Sequence, residues 1–447
     1  MKKRSLIAPL LVGVCFLYSG SAYMSQFYRL MDYYDDVTLD IITSGWNYLL
    51  QALGILVFSL GLWKLPNIFG KKKLFLCLLA TGLVFMALCQ LVDSAVVILI
   101  SGYIFQLHIG LYSGYYLSAL AYGADIKHLG LSYGAAYAFG SVGTYAFSLF
   151  GNGDFLASKE ITIVYAILAV LSGLLCFAGE DIPAVSGENS SGNPAYIRYL
   201  APIVAIMMVI SVMGSGLYYS LPAAKDVDWN LIRAAYAIGL MLAGFLMDKK
   251  RLIGEICVVA SLTYPLIAMA LIGEGVNNTV ALSLSYTFRG FISVYYVYIF
   301  AELGAKNRRL LPLAPMGLFV SRLTEAILSV ALMLSNPPAV VQIVITALCF
   351  VPLLILFFIG QNKRYLSEFS SGREGSEEKL AAFSSKHGLT HRESEVLAFM
   401  AAGLSDSEIA EKCFISQSTV RFHVTNILKK TKTSTRVEAV RSLISGK

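Results

Sequence analysis

The stretch SDSEIAEKCFISQSTVRFHVTNILKK, Ser405 to Lys430, is polar and charged in a chain that is otherwise apolar. It reads as two short helices built for water. In "SDSE", Ser405 stands at an N-cap with Glu408 three residues on, the spacing of a capping box. Ile409 and Ala410 then face inward. "FISQS" is a turn, with Ser416 as the next N-cap. A longer helix follows to about Lys430. Its apolar stripe is Val420, Val424, Ile427 and Leu428, at i, i+4, i+7 and i+8. The opposite face carries Ser418, Arg421, Phe422, Thr425 and Lys429. Two helices across a tight turn, the second longer and basic, predict a helix-turn-helix.

The flanks support this. "LTHRESEVLAFMAAG" predicts a preceding helix that ends at Gly403, a suitable C′ residue. A last helix, Ser434 to about Ser445, carries Val437, Val440, Leu443 and Ile444. From Lys412 onward there are eight Lys or Arg and one acid, Glu438, whereas residues 390–411 hold one base, Arg392, and five acids. Positive charge therefore gathers where phosphates would lie.

From Leu389 the sequence resembles the LuxR-type (GerE or NarL-type) DNA-binding domain. The pattern L-T-x-R-E-x-E-V-L, G-x-S-x-x-E-I-A, I-S-x-x-T-V-[KR]-x-H, N-I-L-x-K, S-x-R-x-E-A is met nearly position by position over about the last sixty residues. Cys413 stands where a leucine is usual, and Thr431-Lys432-Thr433 replaces a common Leu-Gly-Val, a change expected to loosen the turn before the last helix. The resemblance implies that Arg421, Phe422 and Thr425 face base edges in the major groove, where Arg pairs with guanine and Phe and a Thr methyl meet thymine. It implies phosphate contacts from Thr419, Lys429 and Lys430. His423 borders the packed stripe, which suits a structural or phosphate contact. The last helix forms dimers in the family, so Val437, Val440 and Ile444 are interface candidates. The partner implied is double-stranded promoter DNA.

The rest of the chain has another character. Of 447 residues, 57% are hydrophobic and 14% charged, against about 25% charged in soluble domains. A spanning helix needs about 20 mostly apolar residues. Twelve such runs lie near 6–28, 43–63, 73–92, 95–123, 131–151, 160–178, 197–220, 229–247, 252–272, 278–301, 310–334 and 338–360. The first run also has the form of a signal peptide, three basic residues and then apolar ones; an uncleaved span keeps a six-plus-six pattern. Orientation follows the loop cations. Seventeen Lys or Arg fall in the loops on the amino-terminal side, and three, Arg29, Lys159 and Lys225, on the other. Both termini are then cytoplasmic, in a multi-pass protein of a bacterial inner membrane.

Residues 179–196 form the longest inner loop and divide the spans six and six. This resembles the major facilitator superfamily, whose halves are related by internal repeats. "GFLMDKK", Gly244 to Lys250, matches that family's G-x-x-x-D-[RK] motif; the first-half equivalent, "GLWKLPNIFGKKK", lacks the Asp and the spacing. The expected architecture is all-α: a membrane domain at 1–360, a Ser-, Gly- and Glu-rich linker at 361–388 whose end, "EEKLAAFSSKHG", is expected to form a short helix, and a small four-helix domain at 389–447.

Charges inside spans cost about 2.5–3.5 kcal/mol each on insertion scales. Arg289, Arg322 and Glu325 lie mid-span, Arg233 nearer an outer end; Asn47, Gln51, Gln106 and His108 add polarity to the first half. Two readings stay open: a pocket in which the arginines meet a small anionic ligand, or internal pairing that holds the bundle. The seven cysteines show no disulfide or metal spacing. No P-loop, metal cluster or triad spacing appears, so neither an enzyme nor a cofactor is expected. Together the two resemblances imply a membrane-bound one-component regulator whose membrane domain senses a small molecule or a membrane signal, or else a secondary transporter with a regulatory tail.

Overall fold

A helix apolar on every side has no stable place except among lipid or other helices. The computed structural model describes residues 6–150, 154–183, 196–219, 227, 229–401 and 404–445. The described residues are helical or irregular, with no strand among them. The chain divides into two compact units, residues 1–193 with 197–358, and 194–196 with 359–447.

The first unit runs α1 (Ile7–Leu30), α2 (Asp36–Asp40), a π-helical turn (Ile41–Trp46), α3 (Asn47–Lys64), α4 (Pro66–Phe69), α5 (Lys72–Leu91), α6 (Ala95–Gly123), α7 (Leu129–Leu149), α8 (Asp154–Ala157) and α9 (Ile161–Ala178). It continues with α10 (Ile197–Tyr219), α11 (Trp229–Lys249), α12 (Arg251–Ser261), α13 (Tyr264–Gly273), α14 (Asn278–Lys306) and α15 (Met316–Ser335). Apolar side chains stay on its outer surface: Trp63 is 70% exposed, Phe177 73% and Leu334 72%. An exterior this apolar suits lipid rather than water.

Among the described residues, eight helices are long and apolar enough to cross a membrane, or nine if the pair α12 and α13 is one broken span. The pair bends by 52°; Pro265 in the first turn of α13 lacks the N–H that would continue α12. Twelve runs were expected. Those outside the eight or nine are α7, α11 and α14, and all three line a polar cavity described below. A helix that turns hydroxyls and charges toward such a cavity loses mean hydropathy without gaining lipid-facing polarity.

Close backbone approach sets two of the crossings. A Cβ on Gly290 of α14 would lie 2.6 Å from the Leu240 nitrogen and 2.9 Å from the Gly239 Cα on α11. A Cβ on Gly244 of α11 would lie 2.9 Å from the Gly130 carbonyl carbon on α7. Beside it the Asp248 carboxylate accepts the N–H groups of Gly130 and Leu131, both at 2.8 Å. The acid of the "GFLMDKK" motif thus occupies the positive end of α7, where a helix leaves unpaired donors. In the first half Asp181 does similar work from another loop: it accepts the Lys72 N–H at 3.0 Å and pairs with Lys71 at 3.1 Å.

The helix α16 (Ala339–His387) crosses the boundary between the units. The stretch 361–388, read as a linker, is therefore helical through His387. The second unit continues with α17 (His391–Ala401), α18 (Asp406–Cys413), α19 (Gln417–Thr431) and α20 (Arg436–Ser445). Its core joins Val396, Leu397, Met400, Ile409, Ala410, Cys413, Val420, Ile427, Ala439 and Leu443. Phe383 is buried with them, and Leu380 packs against them. The domain thus begins earlier than Leu389, because the end of α16 supplies part of its core.

Candidate nucleic-acid interface and membrane cavity

Local sequence builds the helix-turn-helix as expected. The Ser405 hydroxyl caps the Glu408 N–H while the Glu408 carboxylate accepts the Ser405 N–H at 2.7 Å, a complete capping box. Ser416 caps α19 through the Thr419 N–H at 3.2 Å. Val420 and Ile427 are buried, with Val424 and Leu428 packed beside them. The expected end of the first helix at Gly403 lies outside the described residues. Cys413, in place of leucine, is buried in the same core.

The opposite face of α19 is open. The Arg421 side chain is 72% exposed and Phe422 63%; Thr425 is also exposed. The Thr425 hydroxyl donates to the Arg421 carbonyl at 2.9 Å, so its donor is used within the helix. His423 is half-buried and sits against the Phe422 ring. Thr419 is half-buried, with its hydroxyl on Ser416 at 2.8 Å, and Lys429 is exposed. Lys430, expected on a phosphate, instead pairs with Glu393 at 2.6 Å. Lys430 thus has a partner within the domain: the Glu393 side chain is only 4% exposed, that of Lys430 35%. Asp406 holds two arginines, Arg436 at 2.7 Å and Arg421 more loosely at 3.6 Å. On α20, Val437 is 69% exposed, Val440 is partly buried, and the Ile444 side chain lies outside the described residues.

The turn after α19 closes in spite of its altered sequence. Lys432 takes a left-handed conformation, φ 54°, and Thr433 donates its N–H to Leu428 at 3.0 Å. The expected loosening appears instead as backbone cost, because glycine tolerates this region and a lysine does not. Lys432→Gly should therefore stabilise the domain by about 1 kcal/mol, read as a shift in the urea midpoint of the 359–447 fragment.

In the first unit a cavity of about 370 Å³ lies among α1, α3, α6, α7, α10, α11, α14 and α15. Three of the four charged residues singled out in the sequence meet there. Glu325 pairs with Arg322 at 3.3 Å and Arg289 at 3.4 Å. The Arg322 guanidinium lies over the Tyr48 ring at 4.2 Å, and that of Arg289 over Tyr286 at 5.5 Å. The side chain of Arg233, the fourth, lies outside the described residues. Gln51 reaches the cavity and donates to Gln106 at 2.7 Å. Gln106 and Asn47 both donate to Gln26, at 2.9 and 3.0 Å, which ties α1, α3 and α6 together. His108 is held by the Ile104 carbonyl and Thr81, away from the cavity. Of Tyr112, Tyr115, Tyr116, Tyr295, Tyr296 and Tyr298, which cluster in the sequence, only Tyr116 and Tyr296 line it. Tyr23, Tyr48, Tyr137, Tyr236 and Tyr286 complete the wall. Each stands apart from that cluster in the sequence, on α1, α3, α7, α11 and α14, and nothing local marked them.

Comparison with known proteins separates the two units by class. Residues 387–443 match the family described as bacterial regulatory proteins, luxR family, and the first unit has a major-facilitator-like fold. The individual relatives are these. Over 51 residues the chain is 53% identical to the uncharacterized transcriptional regulatory protein YxjL of Bacillus subtilis, covering 11% of this chain and 23% of that protein. Over 52 residues it is 46% identical to the CsgBAC operon transcriptional regulatory protein of Escherichia coli, covering 12% and 24%. The chain spans about a quarter of the length of the curated relatives it matches. Among solved structures it is similar to the major facilitator superfamily transporter FucP in the outward conformation, with a TM-score of 0.51 and 15% identity over 80% of this chain and 98% of that one. An auto-inhibited POT family peptide transporter gives a TM-score of 0.51 and 11% identity over 79% and 96%. The chain thus joins a luxR-type regulator domain to a multi-pass membrane domain of major-facilitator-like fold.

Proposed function

We propose that this protein is a one-component, membrane-bound transcription regulator. The observation that carries the reading is the exposed face of α19, with Arg421, Phe422 and Thr425 on a complete helix-turn-helix that has its own core. Arg421, Phe422 and Thr425 read bases; Thr419, His423 and Lys429 hold phosphates. A homodimer forms through Val437, Val440 and Ile444. The membrane domain crosses a bacterial inner membrane twelve times, counting the three cavity-lining helices and the broken pair with the eight, and both termini lie in the cytoplasm. It binds a small molecule and biases the DNA-binding state of the tail. The two units share α16, and no enzymatic step is needed between them.

The test is DNA binding by the 359–447 fragment. Arg421→Ala should weaken binding to a selected operator by about 1–3 kcal/mol and relax preference at one base pair, whereas Lys429→Ala should weaken all sequences alike. Absence of salt-dependent binding to any fragment from a random-sequence selection sinks the reading.

A working transporter with a regulatory tail is the second reading. The cavity and the Asp248 contact between α11 and α7 favour it. Solute uptake in vesicles that survives deletion of 361–447 and needs no DNA would select it.

A further inference from the structure

The cavity holds two cationic side chains and one anionic one. Among the described residues that line it, Arg289, Arg322 and Glu325 are the only charged groups. One carboxylate serves both guanidinium groups, through contacts of 3.3 and 3.4 Å. These are long for charge-assisted bonds, which run near 2.7–2.9 Å. One positive charge is thus left without its own counter-charge inside a membrane domain, where uncompensated charge is disfavoured.

Buried polar atoms of the wall are also unspent. Arg322 Nε and Thr144 Oγ1 belong to those with no hydrogen-bond partner among the described residues. Nε belongs to the rigid donor fork of the guanidinium that matches a carboxylate. One face of that guanidinium is already covered by the Tyr48 ring, so the fork is held in place before any ligand arrives. The volume, about 370 Å³, is at the small end of ligand sites.

We propose that the cavity binds a small organic monocarboxylate, whose anion takes Arg322 and leaves Glu325 to Arg289. The bound state then has two cations and two anions, each paired once. A neutral ligand leaves the excess charge in place, a cation doubles it, and a dianion reverses it. Glu325 is the internal competitor that the ligand displaces from Arg322, so its removal strengthens binding. This inference rests on the cavity being a ligand site, as in the proposed function, but it is independent of whether the tail binds DNA.

The experiment is calorimetric titration of the full chain in lipid nanodiscs. The probes are benzoate and gluconate, with benzamide and glucose as their uncharged counterparts and phthalate as a dianion. Benzoate or gluconate should bind while its neutral counterpart does not, and which of the two binds tells whether the body recognised is aromatic or hydroxylated. Glu325→Gln should tighten that binding at least about tenfold, equivalent to about 1.4 kcal/mol. Arg322→Gln should abolish it and Arg322→Lys should restore part. Size-exclusion profiles identify variants that fail to fold; the neutral counterparts and Glu325→Gln decide the matter without Arg322→Gln. The proposal is overturned if a neutral counterpart or phthalate binds as tightly as the monoanion, if Glu325→Gln weakens the monoanion, or if neither monocarboxylate binds wild type or Glu325→Gln at millimolar concentration. Carboxylate binding with no DNA binding by the tail would overturn the regulator reading alone.

Discussion

Lys430→Met should destabilise the DNA-binding unit by about 2–3 kcal/mol at neutral pH. Breaking a buried pair from one side costs about 3–5 kcal/mol; the Lys430 side chain is 35% exposed, so part of the strain relaxes into water. The Glu393 carboxylate left behind is nearly enclosed and keeps the Thr390 N–H as a donor at 2.7 Å. Glu393→Gln added to Lys430→Met should recover much of the loss, because the stranded charge goes with it. Chemical unfolding of the 359–447 fragment measures all three variants. If Lys430→Met shifted the midpoint no more than a surface substitution does, the pair would have no structural role.

The same pair sets an acid response. Burial pushes the Glu393 carboxyl up, but the Lys430 ammonium and the Thr390 donors outweigh it and hold it below the ordinary carboxylate range. A folded value below the unfolded one means that protons favour the unfolded chain. The contribution is complete above the unfolded value of about 4.3 and is lost as pH falls through the lower folded value. The difference between wild type and Lys430→Met should therefore be full at pH 7 and shrink through that acid window.

Gly290→Leu should abolish folding of the membrane domain rather than weaken it. The new Cβ would lie 2.6 Å from the Leu240 nitrogen and 2.7 Å from the Gly239 carbonyl carbon. Both are backbone atoms of a helix, which cannot rotate away as a side chain does, so α14 would have to move off α11. Overpacking by a few methylenes costs about 1–3 kcal/mol where side chains can yield; here the cost should exceed about 4 kcal/mol, in the range of rare and diagnostic substitutions. Arg289 is the preceding residue, so even a folded remnant would carry its guanidinium away from Glu325. Loss of the monodisperse peak on size exclusion checks this. Gly275→Ala, at a glycine with nothing within 4 Å of its Cβ, is the control: its φ of 81° costs locally, yet the bundle should still form.

What the sequence made legible was local. Ser405, Glu408 and Ser416 act within three or four residues of themselves, and the Val420–Leu428 stripe follows from helical period alone. The partners that decide charge roles were remote. Lys430 meets an acid 37 residues away, a partner that its local sequence does not mark. Asp248 stood out as a motif, but the residues whose N–H groups it accepts, Gly130 and Leu131, lie 118 and 117 residues earlier. Arg322 and Glu325, three apart on one helix, were legible as a pair; that Arg289 shares the carboxylate, and that five scattered tyrosines enclose them, required the bundle. The stretch 361–388 misled for a different reason: Ser, Gly and Glu weaken a helix without forbidding it, and α16 continues through them.

Asp406 gives the charge count of the recognition face another meaning. Eight bases stand from Lys412 onward, yet Arg436 and Lys430 are tied to acids of the same domain, and Arg421 leans on Asp406 at 3.6 Å. A base already neutralised from within releases no condensed cation when it meets a phosphate, so the salt dependence of binding should be shallower than the number of lysines and arginines suggests. In the proposed regulator Asp406 is then expected to act as a resident rival of the nucleic acid for Arg421, weakening attachment to arbitrary duplex more than attachment to a site that offers Arg421 a guanine.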